Sequence, residues 1–335
     1  MTGFASHDVL WDERGLRLRP TRFRTTDRAR GEPVSIPQPM TSGAVPASES
    51  SPTELVLTLD CAEQPGIVHA VSGVLLEHGA NIVELTQYDD RRLGHFFMRV
   101  HMAPLEGSAL SEDALRRDLT PVAERFGMRW ELHEHRARRR VLVMVSKFEH
   151  CLNDLLFRAR TGELPVEIVA VVSNHLDHQR LVEWHGIPFF HVPVTKDTKP
   201  EAEARLLELV DRFEVDLVVL ARYMQVLSDS LATRMEGRVI NIHHSFLPSF
   251  KGARPYHQAY ERGVKTVGAT AHYVNAELDE GPIIAQQVVE VNHAYGPEDL
   301  VAAGRDTECK ALSDAVRWHC EGRVILHEGK TVVLR

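Results

Sequence analysis

A polar run that follows a short apolar segment is the part of this sequence best suited to chemistry. Residues 237–240 are followed by Asn241, Ile242 and His243. Successive side chains of an extended strand alternate, so Asn241 and His243 point to the same side. An amide donor and a titratable imidazole on one side can polarise a carbonyl group. The pattern indicates a carbonyl-activating site, and a polar exit from a strand is the alternative interpretation.

The elements that must position this pair are predicted from the apolar pattern. Residues 141–145 are wholly apolar, which is typical of a strand buried on both faces. Strands that alternate with helices predict an α/β fold with a doubly wound, mostly parallel sheet, which binds ligands at the carboxyl ends of its strands. The predicted strands are 141–145, 166–172, 216–220, 239–242, 266–274 and 282–291, and the helices are 151–161, 177–184, 200–213 and 297–320. Residues 324–334 predict a terminal hairpin.

The preceding stretch, residues 53–136, shows a different order of elements. Strand patterns cover 54–60, 81–88, 93–101 and 128–133, and helical patterns cover 67–78 and 111–126. Ser111 is a suitable N-cap for the second helix, and Gly79 suits the end of the first. The order βαββαβ predicts a ferredoxin-like domain. A charged linker over 134–140 is predicted to join it to a second domain, residues 137–335.

Residues 1–52 are predicted to be a disordered tail. They carry seven arginines, no lysine and a serine-rich end, without apolar periodicity. An arginine-rich leader can direct organelle import, but Asp8, Asp12 and Glu13 argue against it because transit peptides are poor in acids.

Composition excludes several classes of partner. The net charge of −8 argues against nucleic acid, which selects clustered Lys and Arg. No apolar run approaches the roughly 20 residues that span a bilayer, and no secretory pattern opens the chain. The four cysteines form no C-x-x-C pair, which fits a reducing compartment. We therefore expect a cytoplasmic protein without nucleic-acid or membrane partners.

The first folded stretch resembles an ACT domain, a small module that often senses amino acids. The resemblance rests on residues 61–67, Cys-Ala-Glu-Gln-Pro-Gly-Ile, and on residues 79–82, Gly-Ala-Asn-Ile. It implies an effector bound where the first strand meets the helix, near Gly66, Ile67 and Asn81, with glycine or methionine as the hypothesis. The resemblance also implies homo-oligomers, because ACT-like sheets commonly pair. Alternatively, Gly66 serves only the turn, Asn81 only caps, and the domain only drives this assembly.

The second stretch resembles the formyltetrahydrofolate deformylase family, whose members join an ACT-like domain to a formyltransferase-like domain. The matching motifs lie in residues 221–227, 241–248, 252–259, 268–274 and 278–284, and the resemblance spans 53–335. It implies hydrolysis of 10-formyltetrahydrofolate to tetrahydrofolate and formate, which would supply purine biosynthesis and balance the folate pool. Folate is then the substrate, so no bound cofactor is expected.

The same resemblance implies a catalytic trio of Asn241, His243 and Asp279. Hydrolysis of an N-formyl group needs an activated water, donors for the oxyanion and a proton for the leaving nitrogen. Asn241 offers amide donors, a protonated His243 offers a charged donor, and Asp279 can hold His243 and act as general base. As an alternative, Asp279 is only a turn residue before Gly281.

Two loops are implied to hold the folate, largely through backbone groups. One contains Met224, Gln225, Val226 and Leu227, and the other contains Asn275, Ala276 and Asp279. Arg is common in the family where this chain has Gln225, so a side-chain contact there is in doubt. Core packing is the alternative role for Met224, Val226 and Leu227.

Other roles for the neighbouring polar residues are less favoured. Ser245 lacks the G-x-S-x-G context of a nucleophile, so we expect it to shape its loop. His272 is expected to support the loop that carries Asp279. A zinc site of His243, His272 and Asp279 is disfavoured because no H-E-x-x-H motif is present, so no metal is expected.

Two alternative functions remain. Phosphoribosylglycinamide-type formyltransferases share the trio but carry a glycine-rich phosphate loop after their first strand. Here residues 146–151 contain no glycine and include Glu149, which favours water as the acceptor. A folate-binding, amino-acid-responsive regulator without turnover is the other alternative, and the presence of both Asp279 and His243 disfavours it.

Overall fold

The computed structural model describes residues 53–247 and 255–335. The predicted disordered tail, residues 1–52, lies outside the described residues. So do residues 248–254, which hold parts of two of the motifs quoted above. All the described residues fall within one unit of mutual contacts, Ser51–Arg335.

A four-stranded antiparallel sheet with two helices forms the first part of the structure. Its elements are β1 (Leu55–Ala62), α1 (Ile67–Glu77), β2 (Ala80–Asp90), β3 (His95–Pro104), α2 (Glu112–Phe126) and β4 (Arg129–Glu134), in the spatial order β2-β3-β1-β4. The predicted βαββαβ order is therefore confirmed. Ser111 caps α2 as expected, because its side chain accepts a hydrogen bond from the N–H of Ala114.

A seven-stranded sheet forms the second part. Its elements are β5 (Arg139–Val145), α3 (His150–Thr161), β6 (Val166–Ser173), α4 (Gln179–Trp184), β7 (Phe189–His191), α5 (Lys199–Arg212), β8 (Leu217–Leu220), α6 (Asp229–Arg234), β9 (Val239–His243), α7 (Pro255–Arg262), β10 (Thr266–Tyr273), β11 (Ile283–Glu290) and α8 (Pro297–Cys320). The order is β11-β10-β9-β8-β5-β6-β7. β5 to β9 pair in parallel, and β10 and β11 are antiparallel additions. A hairpin of β12 (Val324–His327) and β13 (Lys330–Val333) ends the chain.

β5 shows why this sheet is doubly covered. Its apolar residues alternate between two cores: Val141, Val143 and Val145 pack on one face, and Leu142 and Met144 on the other. All five are at most 3% exposed. A strand with helices on both faces needs apolar residues at every position, which is why the continuous run predicted a buried parallel strand.

The longest helix among the described residues is α8, with 24 residues. It begins after Gly296, where Asp299 accepts a hydrogen bond from the Gly296 N–H. Charged side chains recur along it. In the part of the chain that the structure describes, no helix is long and apolar enough to cross a membrane.

The predicted linker over 134–140 is wrong at both ends. β4 extends to Glu134 and β5 begins at Arg139, so only residues 135–138 connect them. Arg140 is a strand residue because its polar groups find partners at the sheet end: its N–H donates to Asp216 and its Nε to the Phe213 carbonyl, at 2.7 and 2.8 Å. β7, α6 and α7 were also not predicted, and with three, six and eight residues they are too short to show a clear period.

Polar contacts join the small sheet to the end of α8. Arg99 on β3 is 1% exposed, and its Nε donates to the Glu321 carbonyl at 3.0 Å. Glu84 on β2 accepts hydrogen bonds from both Arg99 and Arg323. Thr58 on β1 donates to the Gly322 carbonyl. The small sheet thus contacts the far end of the helix that passes the larger sheet.

His319, near the end of α8, makes the stability of the chain depend on pH. Burial, and secondarily Arg139, lower the pKa of His319 to about 4. Burial raises the pKa of Tyr273, so its hydroxyl stays protonated and donates to Nδ1 of His319 at 2.7 Å. An unfolded imidazole binds its proton near pH 6.5, before the folded one does. Folding stability must therefore fall as pH drops from 6.5 towards 4.

We expect His319→Gln to lose less free energy of unfolding than wild type between pH 7 and pH 5. Glutamine keeps an acceptor for the Tyr273 hydroxyl but does not titrate. The His319 contribution approaches about 1.4 kcal/mol per pH unit where only the unfolded imidazole titrates. Chemical denaturation at both pH values measures it, with exposed His69→Gln as the matched control. Equal losses in wild type and His319→Gln would contradict this assignment.

Candidate active site

The cavity that holds the predicted catalytic residues opens at the carboxyl end of β9. Asn241 and His243 both line this cavity, whose volume is about 480 Å³. Leu220 at the end of β8 and Asp279 from the loop after β10 also line it. The strand order reverses between β8 and β5, and such reversal points are where open α/β sheets bind ligands.

Asp279 is held beside His243 by a constrained loop. Oδ1 of Asp279 lies 3.3 Å from Nδ1 of His243. The backbone of Asp279 is in the left-handed region, with φ of +56°, which costs a non-glycine residue about 1–2 kcal/mol. A Cβ on Gly281 would lie 1.7 Å from the Tyr273 carbonyl, so only glycine allows the loop to pass this close to β10. The loop therefore has little freedom to place Asp279 elsewhere.

The environment keeps Asp279 ionised. The hydrogen bond with His243 lowers the pKa of Asp279, and this outweighs the opposing effect of burial. His243 is 5% exposed, and its Nε2 has no hydrogen-bond partner among the described residues. With Nδ1 directed at the carboxylate, Nε2 is the atom of this imidazole that remains for a ligand.

Asn241 is oriented by His272 on the neighbouring strand. Nδ1 of His272 lies 2.8 Å from the Tyr273 carbonyl, which can only accept, so Nδ1 carries the hydrogen. Burial lowers the pKa of His272, and the neutral ring then presents a lone pair at Nε2. The Asn241 Nδ2 lies 3.2 Å from that lone pair and donates to it. The second N–H of Asn241 remains for a ligand.

His272 was expected to support the loop of Asp279, and the structure gives it two neighbours. Its Nε2 is 4.0 Å from Oδ1 of Asp279, beyond hydrogen-bond distance, and this nitrogen accepts its hydrogen bond from Asn241.

Ser245 is 4% exposed, and its carbonyl accepts a hydrogen bond from Oγ1 of Thr270 at 3.0 Å. The same Thr270 oxygen accepts a hydrogen bond from the N–H of Leu247. These two hydrogen bonds attach residues 245–247 to β10.

The residues predicted to contact folate line the same cavity, namely Met224, Gln225, Val226, Leu227, Asn275 and Ala276. Met224 and Val226 are 54% and 57% exposed, so core packing is not their role. Leu227 does pack against the core. The N–H of Met224 donates to Oγ of Ser146 at the end of β5, which anchors the loop to the sheet.

Sequence reasoning missed a charged cluster at one end of the cavity. Arg222 and His244 line the cavity, and Glu308 from α8 lies 3.4 Å from the Arg222 guanidinium. Burial, with help from Arg222, lowers the pKa of His244 to about 4, so this imidazole is neutral near pH 7. Arg222 and Glu308 are far apart in sequence, and the only local signal was an arginine inside the 221–227 motif.

Possible metal ligands come together elsewhere in the described chain. Three groups place ligand atoms within 4.8 Å of one another: Glu54, His101 and His135; Asp60, His95 and His327; and His150, Cys151 and Glu308. In the third group the Arg222 guanidinium already supplies a cation beside Glu308. The expectation that the catalytic site uses no metal stays a prediction.

The residues predicted to bind an effector lie at the start of α1 and in β2. Gly66 is the N-cap of α1 with φ of +96°, a left-handed conformation that favours glycine. Ile67 is 2% exposed and packs in the core of the small sheet, so only its backbone can face a ligand. Asn81 is exposed on β2. An effector site here stays a prediction.

Comparisons with known proteins agree with this architecture. The family model described as formyl transferase matches residues 139–316, and the model described as ACT domain matches residues 55–117. A formyltetrahydrofolate deformylase from Corynebacterium sp. (strain P-1) is 67% identical over 280 residues, 84% of this chain and 98% of that protein.

Solved structures of formyltetrahydrofolate deformylases and of related formyltransferases are similar to this chain. The crystal structure of a formyltetrahydrofolate deformylase from Burkholderia mallei has a TM-score of 0.81 and 52% identity, covering 85% of this chain and all of that one, 100%. A glycinamide ribonucleotide transformylase 1 from Symbiobacterium toebii has a TM-score of 0.56 and 30% identity, covering 61% and 98%. The fold, both domain matches and the high identity over most of the chain show that it belongs to the formyltetrahydrofolate deformylase family.

Proposed function

We propose that this chain hydrolyses 10-formyltetrahydrofolate to tetrahydrofolate and formate. The observation that carries the proposal is the meeting of Asn241, His243 and Asp279 at one cavity between two loops suited to hold folate. The high identity to proteins named formyltetrahydrofolate deformylase supports the same reaction. The folate is bound by the 224–227 loop and by Asn275 and Ala276.

The reaction proceeds through a tetrahedral intermediate. Asp279 takes a proton from water, whose oxygen then forms a bond to the formyl carbon. The carbonyl electron pair moves to oxygen, and the free N–H of Asn241 and Nε2–H of protonated His243 stabilise the oxyanion. The C–N bond breaks as the folate nitrogen receives the proton that Asp279 took from water, and the formic acid loses its own proton to solvent and leaves as formate. Water and folate supply every atom of the products, so the reaction needs no further co-substrate.

A lowered pKa makes Asp279 a weak base in the ligand-free chain. The bound folate explains how Asp279 can nevertheless act as the general base. Oδ1 of Asp279 lies 3.3 Å from Nδ1 of His243, and this hydrogen bond is the largest cause of the lowered pKa of Asp279. Folate in the cavity displaces water around Asp279, and desolvation raises carboxyl pKa values. Substrate binding therefore makes Asp279 more basic at the step where it takes the proton.

The wider role follows from the products. Formate released in the cytoplasm supplies purine biosynthesis, and the hydrolysis balances the pool of one-carbon folates. Glycine or methionine acts as an effector at the ACT domain. The chain forms homo-oligomers through β2, an edge strand of its sheet on which Val83 and Leu85 are 55% and 38% exposed.

Formate release without an amine acceptor tests the proposal. Purified wild type is mixed with 10-formyltetrahydrofolate, with and without glycinamide ribonucleotide, and both formate and formylated amine are measured. We expect formate at the same rate in both mixtures and no formylated amine. Turnover that requires the amine would identify a transferase. Folate binding with no turnover in either mixture would favour the regulator.

A further inference from the structure

Arg222 carries hydrogen-bond donors that no described residue uses. The side chain is 9% exposed and lines the catalytic cavity. Its Nε and Nη1 are buried and have no hydrogen-bond partner among the described residues. Leaving a buried donor unpaired costs free energy, and a charged donor costs more than a neutral one. A guanidinium kept in this state at a cavity wall points to a ligand that pairs with it.

The nearest carboxylate cannot supply those bonds, because other residues already engage it. Oε2 of Glu308 accepts from Nε2 of His150 at 2.7 Å, and Oε1 accepts from the Tyr256 hydroxyl at 2.9 Å. Glu308 is 1% exposed, so its position is set by this packing. Arg222 approaches it only through Nε, at 3.4 Å and without hydrogen-bond geometry. Glu308 therefore offsets the charge of Arg222 without using its planar set of donors.

The backbone holds Arg222 in this position at a cost. Its φ of +65° lies in the left-handed region, which is unfavourable for a residue with a Cβ such as arginine. Its carbonyl accepts from the N–H of Ser146, and its guanidinium lies over the Phe148 ring at 5.3 Å. Glycine would suit the backbone better, so the strain indicates that the arginine side chain itself has a use.

We propose that Arg222 is the formate-binding residue of this cavity. The inference rests on the proposed hydrolysis, which releases a carboxylate inside the cavity that Arg222 lines. A guanidinium donates charge-assisted N–H bonds to carboxylates, and formate is the smallest carboxylate. Asp279 repels the newly formed anion, while neutral His244 beside Arg222 offers no competing charge. Arg222 thus draws formate away from Asp279 and lets the next water enter.

Titration of carbon-13 formate, followed by NMR on the full chain, tests this assignment without turnover. We expect Arg222→Gln to weaken formate binding at least tenfold, because it removes the charge and the guanidinium donors. We expect Glu308→Gln to tighten binding severalfold, because it removes the negative charge beside Arg222 but keeps an acceptor for Tyr256. Exposed Arg180→Gln is the matched control and should leave the affinity unchanged.

The opposite signs separate ligand binding from a structural role. A structural role would make both variants weaken binding, or neither change it, and either result would overturn the assignment. So would the absence of formate binding to wild type. Circular dichroism and thermal unfolding check that each variant folds. If Arg222→Gln does not fold, Arg222→Lys replaces it, and the expected result is weaker binding because an ammonium group lacks the fixed, planar donors of the guanidinium.

The same data distinguish the two proposals. A chain that binds formate through Arg222 but releases none from 10-formyltetrahydrofolate would contradict the hydrolysis and keep the anion site. A chain that hydrolyses the folate, with equal formate affinity in wild type and Arg222→Gln, would contradict the anion site and keep the hydrolysis.

Discussion

Replacing the Asp279 carboxylate with an amide, in Asp279→Asn, lowers kcat for formate release by about 10²–10⁴-fold, the range that a positioned proton acceptor contributes. The amide has nearly the same shape but cannot accept the water proton. It also removes the negative charge that strengthens the hydrogen bond to Nδ1 of His243, 3.3 Å away, so the imidazole is held less firmly. Both losses act on the chemical step, so kcat falls far more than folate affinity.

Initial rates of formate release and binding of tetrahydrofolate measure the two effects separately. Exposed Asp177→Asn, on the same sheet domain but away from the cavity, is the matched control. Asp279→Asn activity within tenfold of wild type would contradict the role of Asp279 as general base. Equal loss of turnover and of tetrahydrofolate affinity would instead indicate that Asp279 holds the folate loop in shape, as its left-handed backbone also allows.

The buried strands could be predicted from the sequence because every residue of such a strand is apolar. β5 is apolar at every position from Val141 to Val145 because helices cover both of its faces. α8 was predicted with its observed ends, Pro297 and Cys320, because proline suits a first turn and the apolar period persists over its length. Local sequence patterns are sufficient to predict an element whose environment is the same along its whole length.

The charged residues at the strand ends were misread for a related reason. Arg139 and Arg140 look like a solvated linker, yet they pair with Val166 and Glu167 in the sheet. The groups that accept their hydrogen bonds, such as the Phe213 carbonyl, come from a distant part of the chain. The neighbouring sequence does not show that a charged side chain is hydrogen-bonded by a distant backbone group, so local composition alone predicts a loop.

In the candidate site, too, some positions follow from the sequence pattern and others depend on contacts between distant residues. Asn241 and His243 lie on one strand, so their common side follows from the alternation of side chains. The approach of Asp279 depends on the loop that Gly281 allows against β10. Arg222 and Glu308 meet only because β8 and α8 pass the same end of the cavity, and no spacing in the sequence indicates that contact. The family resemblance supplied Asp279, whereas the Arg222–Glu308 pair required the three-dimensional arrangement.

The second large effect is expected for Asn241→Asp. The change keeps the size of the side chain but replaces its N–H donors with acceptor oxygens. Loss of one oxyanion donor typically costs about 10²–10³ in kcat. The new carboxylate also faces the lone pair on Nε2 of His272, where Asn241 now donates at 3.2 Å. Two acceptors in that contact repel, so the side chain must turn or His272 must take up a proton.

kcat and KM for formate release test this expectation, with exposed Asn153→Asp as the matched control. An oxyanion contact strengthens only in the transition state, so kcat should fall while KM changes little. A rise in KM at unchanged kcat would assign Asn241 to ground-state folate binding instead. Activity within tenfold of wild type would mean that the donor to the oxyanion is not Asn241, and His243 would then carry that role alone, through the Nε2 that no described residue occupies.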